Sequence, residues 1–237
     1  MFNRKEFPFL VVLIPFVLSC MKYEFHKFDD VFYNGAVLVT YRRELRAYDC
    51  KRACLMTKGC RGFNMEWIQD IADVGYCDLV DMRLAKTLTF KSNYSVYALC
   101  PSGMIFYPTT GRCYEVISKR KNWSESQQYC RSLYDQAHLM EIYDSKQQEL
   151  FESMTQDFIE TKPSSLSFGL WLGASKSVEG VDVIWSHTMK AVIGSNYSNL
   201  DYGESMGQAS GNNCLKSFRG QWSLAPCSKI KAFVCEY

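Results

Sequence analysis

Short runs in which apolar and polar residues alternate open the chain's first half, and Phe25 to Phe32 and Ala36 to Tyr41 read as strands. The period then changes. Leu45, Tyr48, Cys54 and Leu55 recur among Arg and Lys over Leu45 to Met56, the spacing of an amphipathic helix that Gly59 would close. Cys60 to Met65 returns to a strand, an Asp-rich loop follows, and Tyr76 to Leu79 and Tyr94 to Ala98 add two more strands. Together they predict a small α+β unit. Pro101 cannot continue a hydrogen-bonded ladder, so Cys100-Pro101 marks a boundary.

Towards the other end stands a frame of fixed points: Gly169-Leu170-Trp171-Leu172-Gly173, Trp185, Asn213-Cys214, Trp222, Cys227 and Cys235. Between Trp185 and Cys214 the chain is rich in Ser, Asn, Gly and Tyr and has no sustained apolar period. A connection of that length in a compact domain is usually functional or disordered, and the cysteines close behind it favour function.

With 237 residues, 47% of them apolar, the chain can hold one large domain or two modest ones. Its formal net charge of +2 offers no electrostatic case for nucleic acid as a partner. Arg4 and Lys5 ahead of the apolar Leu10 to Leu18 read as a secretory signal over residues 1–20, too short to span a bilayer comfortably, with an uncleaved anchor as the alternative. No membrane span is expected after its removal. Sequons at Asn93, Asn122 and Asn196 fit export. Of eleven cysteines all but Cys20 lie beyond the signal, an even number suited to an oxidising compartment. Zinc competes for Cys50, Cys54, Cys60 and Cys77, but the paired Cys-x-x-Cys spacing is missing and no histidine stands nearby. An enzyme would need a base, and the only histidines are His26, His138 and His187, with no nucleophile motif beside them; no catalytic residue is expected.

The order Cys50-x3-Cys54-x5-Cys60-Arg61-Gly62-Phe63, then Cys77, resembles the PAN/apple module over residues 21–99. That resemblance implies pairs Cys50 to Cys77 and Cys54 to Cys60. Residues 100–237 resemble the C-type lectin-like domain in its long form, through Trp171-Leu172-Gly173, Asn213-Cys214, Trp222 and the cysteine frame. This implies a hairpin closed by Cys100 to Cys113, and a first helix from Asn122 to Arg131 capped by Asn122 or Ser124. It also implies a strand at His138 to Ile142 and a second helix opened by Asp144 to Phe151, with Leu150, Phe151 and Met154 toward the core. Further implied pairs are Cys130 to Cys235 and Cys214 to Cys227, and the long loop would carry the ligand site.

In sugar-binding members of that family, calcium is held by a cis-Pro tripeptide, a Glu before Asn-Cys, and a Trp-Asn-Asp triplet. The matching stretches here are Glu204-Ser205-Met206, Asn212-Asn213-Cys214 and Trp222-Ser223-Leu224, and no proline occurs between Pro163 and Pro226. From Trp185 to Cys235 the only carboxylates before Cys235 are Asp201 and Glu204, whereas calcium takes about six to eight oxygens. No metal or other cofactor is therefore expected. Lys190, Lys216, Arg219, Lys229 and Lys231 make this end basic, among Tyr197, Tyr202, Phe218 and Trp222. The loop's shape is expected from the Cys214 to Cys227 bridge and from packing of Trp185, Phe218 and Trp222.

The expectation is a secreted extracellular recognition or adhesion protein that binds a protein or glycan ligand without the usual calcium site. Candidate ligand-binding residues are Tyr197, Tyr202, Glu204, Asn212, Lys216 and Arg219. A calcium-dependent carbohydrate-binding lectin and a purely structural interaction module are the alternatives. The two halves are expected to fold independently.

Overall fold

A computed structural model describes residues 23–82, 88–134, 136–161, 169–176, 182–193, 197–200 and 213–237. The expected signal over residues 1–20, with Cys20, lies outside these residues. The chain divides into two compact units between Gly111 and Arg112, a dozen residues beyond the Cys100-Pro101 position.

In the first unit, strands β1 (Tyr23–Tyr33), β2 (Ala36–Arg46), β3 (Gly62–Trp67), β4 (Val74–Asp81) and β5 (Leu88–Pro101) form one antiparallel sheet in the order β1-β5-β3-β4-β2. The helix α1 (Ala47–Met56) begins two residues later than the apolar period suggests, because Leu45 still pairs with Gly75 in the sheet. At its start the Asp49 carboxylate accepts the Arg46 N–H at 3.3 Å. Ala47, Cys50 and Cys54, three and four residues apart, are its buried face. They meet Phe63, Met65, Leu79 and Tyr97, with Phe63 stacked on Tyr97 at 4.6 Å. Two disulfides, Cys50–Cys77 and Cys54–Cys60, fasten this helix to β4 and to the start of the next strand. A domain of this size buries little apolar surface, and such bridges contribute about 2–4 kcal/mol each. After β5, which runs through Pro101 at its last rung, comes the short strand β6 (Ile105–Tyr107).

The second unit is built on β7 (Arg112–Lys121), β9 (Leu170–Lys176), β11 (Asn213–Phe218), β12 (Gln221–Pro226) and β13 (Lys231–Glu236), ordered β12-β11-β9-β13-β7. Strand β10 (Val183–Trp185) pairs with β9, and β8 (His138–Leu139) with β13. The β9–β13 pair is parallel; the other pairs in this sheet path are antiparallel. Two helices flank it, α2 (Trp123–Leu133) and α3 (Ser145–Thr161). Asn122 is the cap of α2: its side chain accepts from the Glu125 N–H at 2.8 Å, and the Glu125 carboxylate accepts the Asn122 N–H at 3.3 Å. This reciprocal box is worth about 1 kcal/mol.

Trp171, Trp185 and Trp222 are fully buried, with Leu172, Phe233 and Val234 around them, and Leu150, Phe151 and Met154 bring α3 into the same core. The Trp171 indole N–H donates to the Lys121 carbonyl at 3.1 Å, and that of Trp123 to the Leu172 carbonyl at 2.8 Å. Gly173 is required by space, since a Cβ there would stand 2.5 Å from the Leu139 carbonyl oxygen. Cys130–Cys235 joins α2 to β13 across 105 residues, for which chain entropy gives about 4–5 kcal/mol, and Cys214–Cys227 staples β11 to the end of β12. Cys100 and Cys113 are also disulfide-bonded. Among the described residues, no helix is long and apolar enough to cross a membrane.

Candidate functional site

The chain leaves β10 at Trp185 and returns to the sheet at Asn213, and the described parts of this long loop are held at both ends. At its start, Trp185 N–H donates to the Lys190 carbonyl at 2.9 Å and Val192 N–H to the Val183 carbonyl at 2.8 Å, folding 183–192 back on itself. The buried Glu141 carboxylate holds this turn from below. It accepts the His187 N–H at 2.6 Å and the Thr188 hydroxyl at 2.9 Å, and it also accepts the Tyr143 hydroxyl. The expected strand at His138 to Ile142 stops at Leu139. Beyond it, Met140 N–H donates to Val234, and Glu141 turns its carboxylate to the loop.

At the far end, Trp222 is the post against which the loop closes. Its N–H donates to the Asn199 carbonyl at 2.9 Å, its indole N–H to Gln148 Oε1 at 2.9 Å, and the Tyr197 ring meets it edge-on at 5.8 Å. Arg219 and Gly220, both with positive φ (51° and 82°), form the two-residue turn between β11 and β12. The Gly220 carbonyl accepts from Asn199 Nδ2 at 2.7 Å and from Gln148 Nε2 at 3.0 Å. Trp185 meets Trp222 edge-on at 5.6 Å and Tyr143 at 5.7 Å, so the two ends share one aromatic floor. Phe218 is not part of that floor. It stands 39% exposed on the hairpin, because Ser217 rather than Phe218 faces inward at that register.

Behind the floor lies a group of charges. Arg112 donates to Glu236, which is fully buried, and that carboxylate holds the guanidinium pKa above its usual range. A second Glu236 oxygen accepts the Glu141 N–H at 3.1 Å. The rings of buried His138 and of His187 stack at 3.8 Å. Desolvation first, then the neighbouring His138, keeps the His187 imidazole below its ordinary pKa. Burial first, then its hydrogen bond to Glu141, pushes the Tyr143 phenol well above the usual tyrosine range. The described hydrogen bonds of these groups fix loop backbone and strand ends.

Of the residues singled out in the sequence, Tyr197 is half-buried against Trp222, Lys216 is half-buried in β11, and Arg219 is exposed at the turn. Lys216 Nζ and the Arg219 guanidinium lie 5.8 and 5.3 Å from the Phe218 ring, and Lys190 Nζ 5.6 Å from that of Tyr143. Tyr202, Glu204, Asn212 and the sequon residue Asn196 fall outside the described residues, as do Asp201 and Met206. Ser223 and Leu224 are half-buried in β12, opposite Lys216 and Leu215. Asn93 is exposed with φ 63°, and Asn122 serves as the helix cap. Among the described residues, no group of three or more His, Cys, Asp or Glu is placed to hold a metal ion. Glu141, Tyr143, Gln148 and Thr188 escaped the sequence reading; the one signal was a lone carboxylate inside the apolar run Ala137 to Ile142.

The family model described as "Lectin C-type domain" matches residues 119–237. The beta subunit of the snaclec bothroinsularin from Bothrops insularis is 27% identical over 138 residues, covering 58% of this chain and 98% of that protein. A "C-type lectin mannose-binding isoform" from Oxyuranus scutellatus is 22% identical over 151 residues, 62% of this chain and 89% of that protein. Among solved structures, human lithostathine overlays with a TM-score of 0.48 at 19% identity, covering 58% of this chain and 90% of that one.

Proposed function

The chain belongs to the C-type lectin domain family, and on that premise we propose that it is a secreted extracellular recognition protein whose long loop binds a protein or glycan ligand without calcium. The observation that carries this reading is how the loop is held. Glu141 accepts from His187, Thr188 and Tyr143, and Trp222 and Gln148 grip the other end, so hydrogen bonds and aromatic packing hold the described ends of the loop, which supports a site that works without a metal. The described rim, with Met189 and Phe218 exposed beside Lys190 and Arg219, suits a partner offering apolar and anionic groups. The disulfides support an oxidising compartment. In the first unit, a helix pinned by Cys50–Cys77 and Cys54–Cys60 supports a PAN/apple-like module. The reading includes no catalytic role.

A glycan array and a partner pull-down with the full chain, each run with and without chelator, test this. Binding should be unchanged by chelation. Binding that chelator abolishes and added calcium restores would overturn it in favour of a calcium-dependent carbohydrate-binding lectin; the name of the Oxyuranus relative speaks for mannose binding in that protein.

A further inference from the structure

Four cations of the second unit stand on separate stretches of backbone: Arg120 on β7, Lys216 on β11, Lys229 in the turn after β12, and Lys231 opening β13. Lys231 is the unusual member. It is only 6% exposed, its Cα is paired with that of Lys121, and its ammonium lies 5.2 Å from the centroid of the buried Trp171 ring. Lys216 is the partner of that same Trp171 across the β11–β9 ladder. Lys229 is fixed by a turn in which its N–H donates to the Pro226 carbonyl at 3.0 Å. Burial first, then the charges of Lys216, Lys229 and Arg120, pull the Lys231 ammonium down to about 8. Three like charges therefore lie close enough to work against a fourth that strand geometry keeps in place.

We propose that this cluster is a binding site for a sulfated polysaccharide, with Lys231 at its base and Arg120, Lys216 and Lys229 as the cations that reach the chain. A low-dielectric floor beneath converging positive charge raises the local concentration of anions. The strand order β11-β9-β13-β7 sets Lys216 and Arg120 about three strand spacings apart, on the order of 14 Å. Over such a length a polysaccharide presents more than one sulfate ester, so several fixed charges meet several fixed cations. Nucleic acid fits less well, since the disulfides suit an oxidising compartment. An acidic protein would want an exposed aromatic anchor at the centre, and here Trp171 is fully buried, while the exposed Phe218 stands beside Lys216 alone of these four. The site takes no residue from between Trp185 and Asn213 and shares only Lys216 with the candidate ligand-binding residues of the loop, so Lys229→Gln and Arg120→Gln test it apart from the loop reading.

The probe is heparin, applied to the full oxidised chain by immobilised-ligand binding over a salt series, beside desulfated heparin, polyglutamate and anionic phospholipid vesicles. Lys216→Gln, Lys229→Gln and Arg120→Gln, at positions that are exposed or half-buried, should each weaken heparin binding roughly five-fold, the order found for one cation at an anionic surface. Each should also lower the slope of log affinity against log salt by about one. Lys229→Arg should keep the affinity, and so should Arg43→Gln, which removes an exposed charge from the first unit. Binding should weaken as pH rises through about 8, where Lys231 loses its proton. The proposal is overturned if heparin does not bind, if the triple Gln variant binds as well as the parent, or if Arg43→Gln weakens binding as much as the cluster variants. Equal binding of desulfated heparin, polyglutamate or the vesicles would overturn it too.

Discussion

Replacing Glu141 by alanine removes the acceptor for three donors at once: the His187 N–H at 2.6 Å, the Thr188 hydroxyl at 2.9 Å and the Tyr143 hydroxyl. A buried donor left without its acceptor costs about 1–3 kcal/mol. The loss is less than three such terms. The Tyr143 and Thr188 oxygens are 2.6 Å apart and can satisfy each other, and His187 is exposed, so water can reach part of the turn. The His187 N–H is then the main unreplaced donor, together with the lost charge-assisted character of the set. A destabilisation of about 2 kcal/mol of the second unit follows. At a urea dependence of ~2 kcal/mol/M, its unfolding midpoint should fall by about 1 M. Near-UV circular dichroism should change as well, since Trp185 sits between Tyr143 and Trp222. Absorbance titration adds an independent readout: Tyr143, held high partly by the carboxylate, should ionise at lower pH in the variant. Glu141→Gln keeps one acceptor oxygen but adds donors facing donors, and should fall between parent and alanine. A midpoint within about 0.3 M of the parent, with unchanged Trp signals, would refute the assignment of Glu141 as the loop's anchor.

Two further outcomes follow from the same core. Because the His187 imidazole titrates below its ordinary value of 6.5, the unfolded chain binds more protons than the folded one below that pH. Stability of the second unit should hold above pH 6.5 and decline as pH drops through it, while His187→Gln flattens that part of a melting-temperature profile; an equal decline in both would reject the linkage. Gly173→Ala sets a Cβ 2.5 Å from the Leu139 carbonyl and should cost about 1–3 kcal/mol by thermal or urea unfolding, and a variant as stable as the parent would reject that crowding.

What the sequence made legible was whatever repeats with a period or carries a chemical mark. The helix α1 is legible from its period, but of Leu45, Tyr48, Cys54 and Leu55 only Cys54 joins the buried face, with Ala47 and Cys50, while Tyr48 is exposed; of the two caps the resemblance implies for α2, Asn122 is the one that closes the box with Glu125. Pairing among ten cysteines has no local signal and could be implied only by resemblance. The end of β2 was placed too early, since Leu45 satisfies both a helical period and a strand rung, and only its partner Gly75 decides. The loop's anchors were hidden for a similar reason. Glu141 and Gln148 lie on elements remote in sequence from His187 and Trp222, and nothing near them announces a hydrogen bond spanning 46 or 74 residues. Nothing in the sequence separates Lys231 from the other cations of this end; only its place beside Trp171 does.

The position of β13 bears on how the protein is made. Last of the strands in chain order, it is buried throughout and lies between β9 and β7, with β8 on it as well. During vectorial synthesis at roughly 5–20 residues per second, β7 and β9 emerge first and then wait, side by side with a vacant seat between them. The second unit thus cannot complete its sheet on the ribosome until Lys231–Glu236 has left the exit tunnel, and Cys130 has no proper partner before Cys235 arrives. For that interval Cys130 is a thiol without its mate, and Cys214 and Cys227 pass by before Cys235 does. The yield of correctly oxidised chain should therefore depend on disulfide isomerisation more for this half than for the first, whose bridges Cys50–Cys77 and Cys54–Cys60 each close within 27 residues.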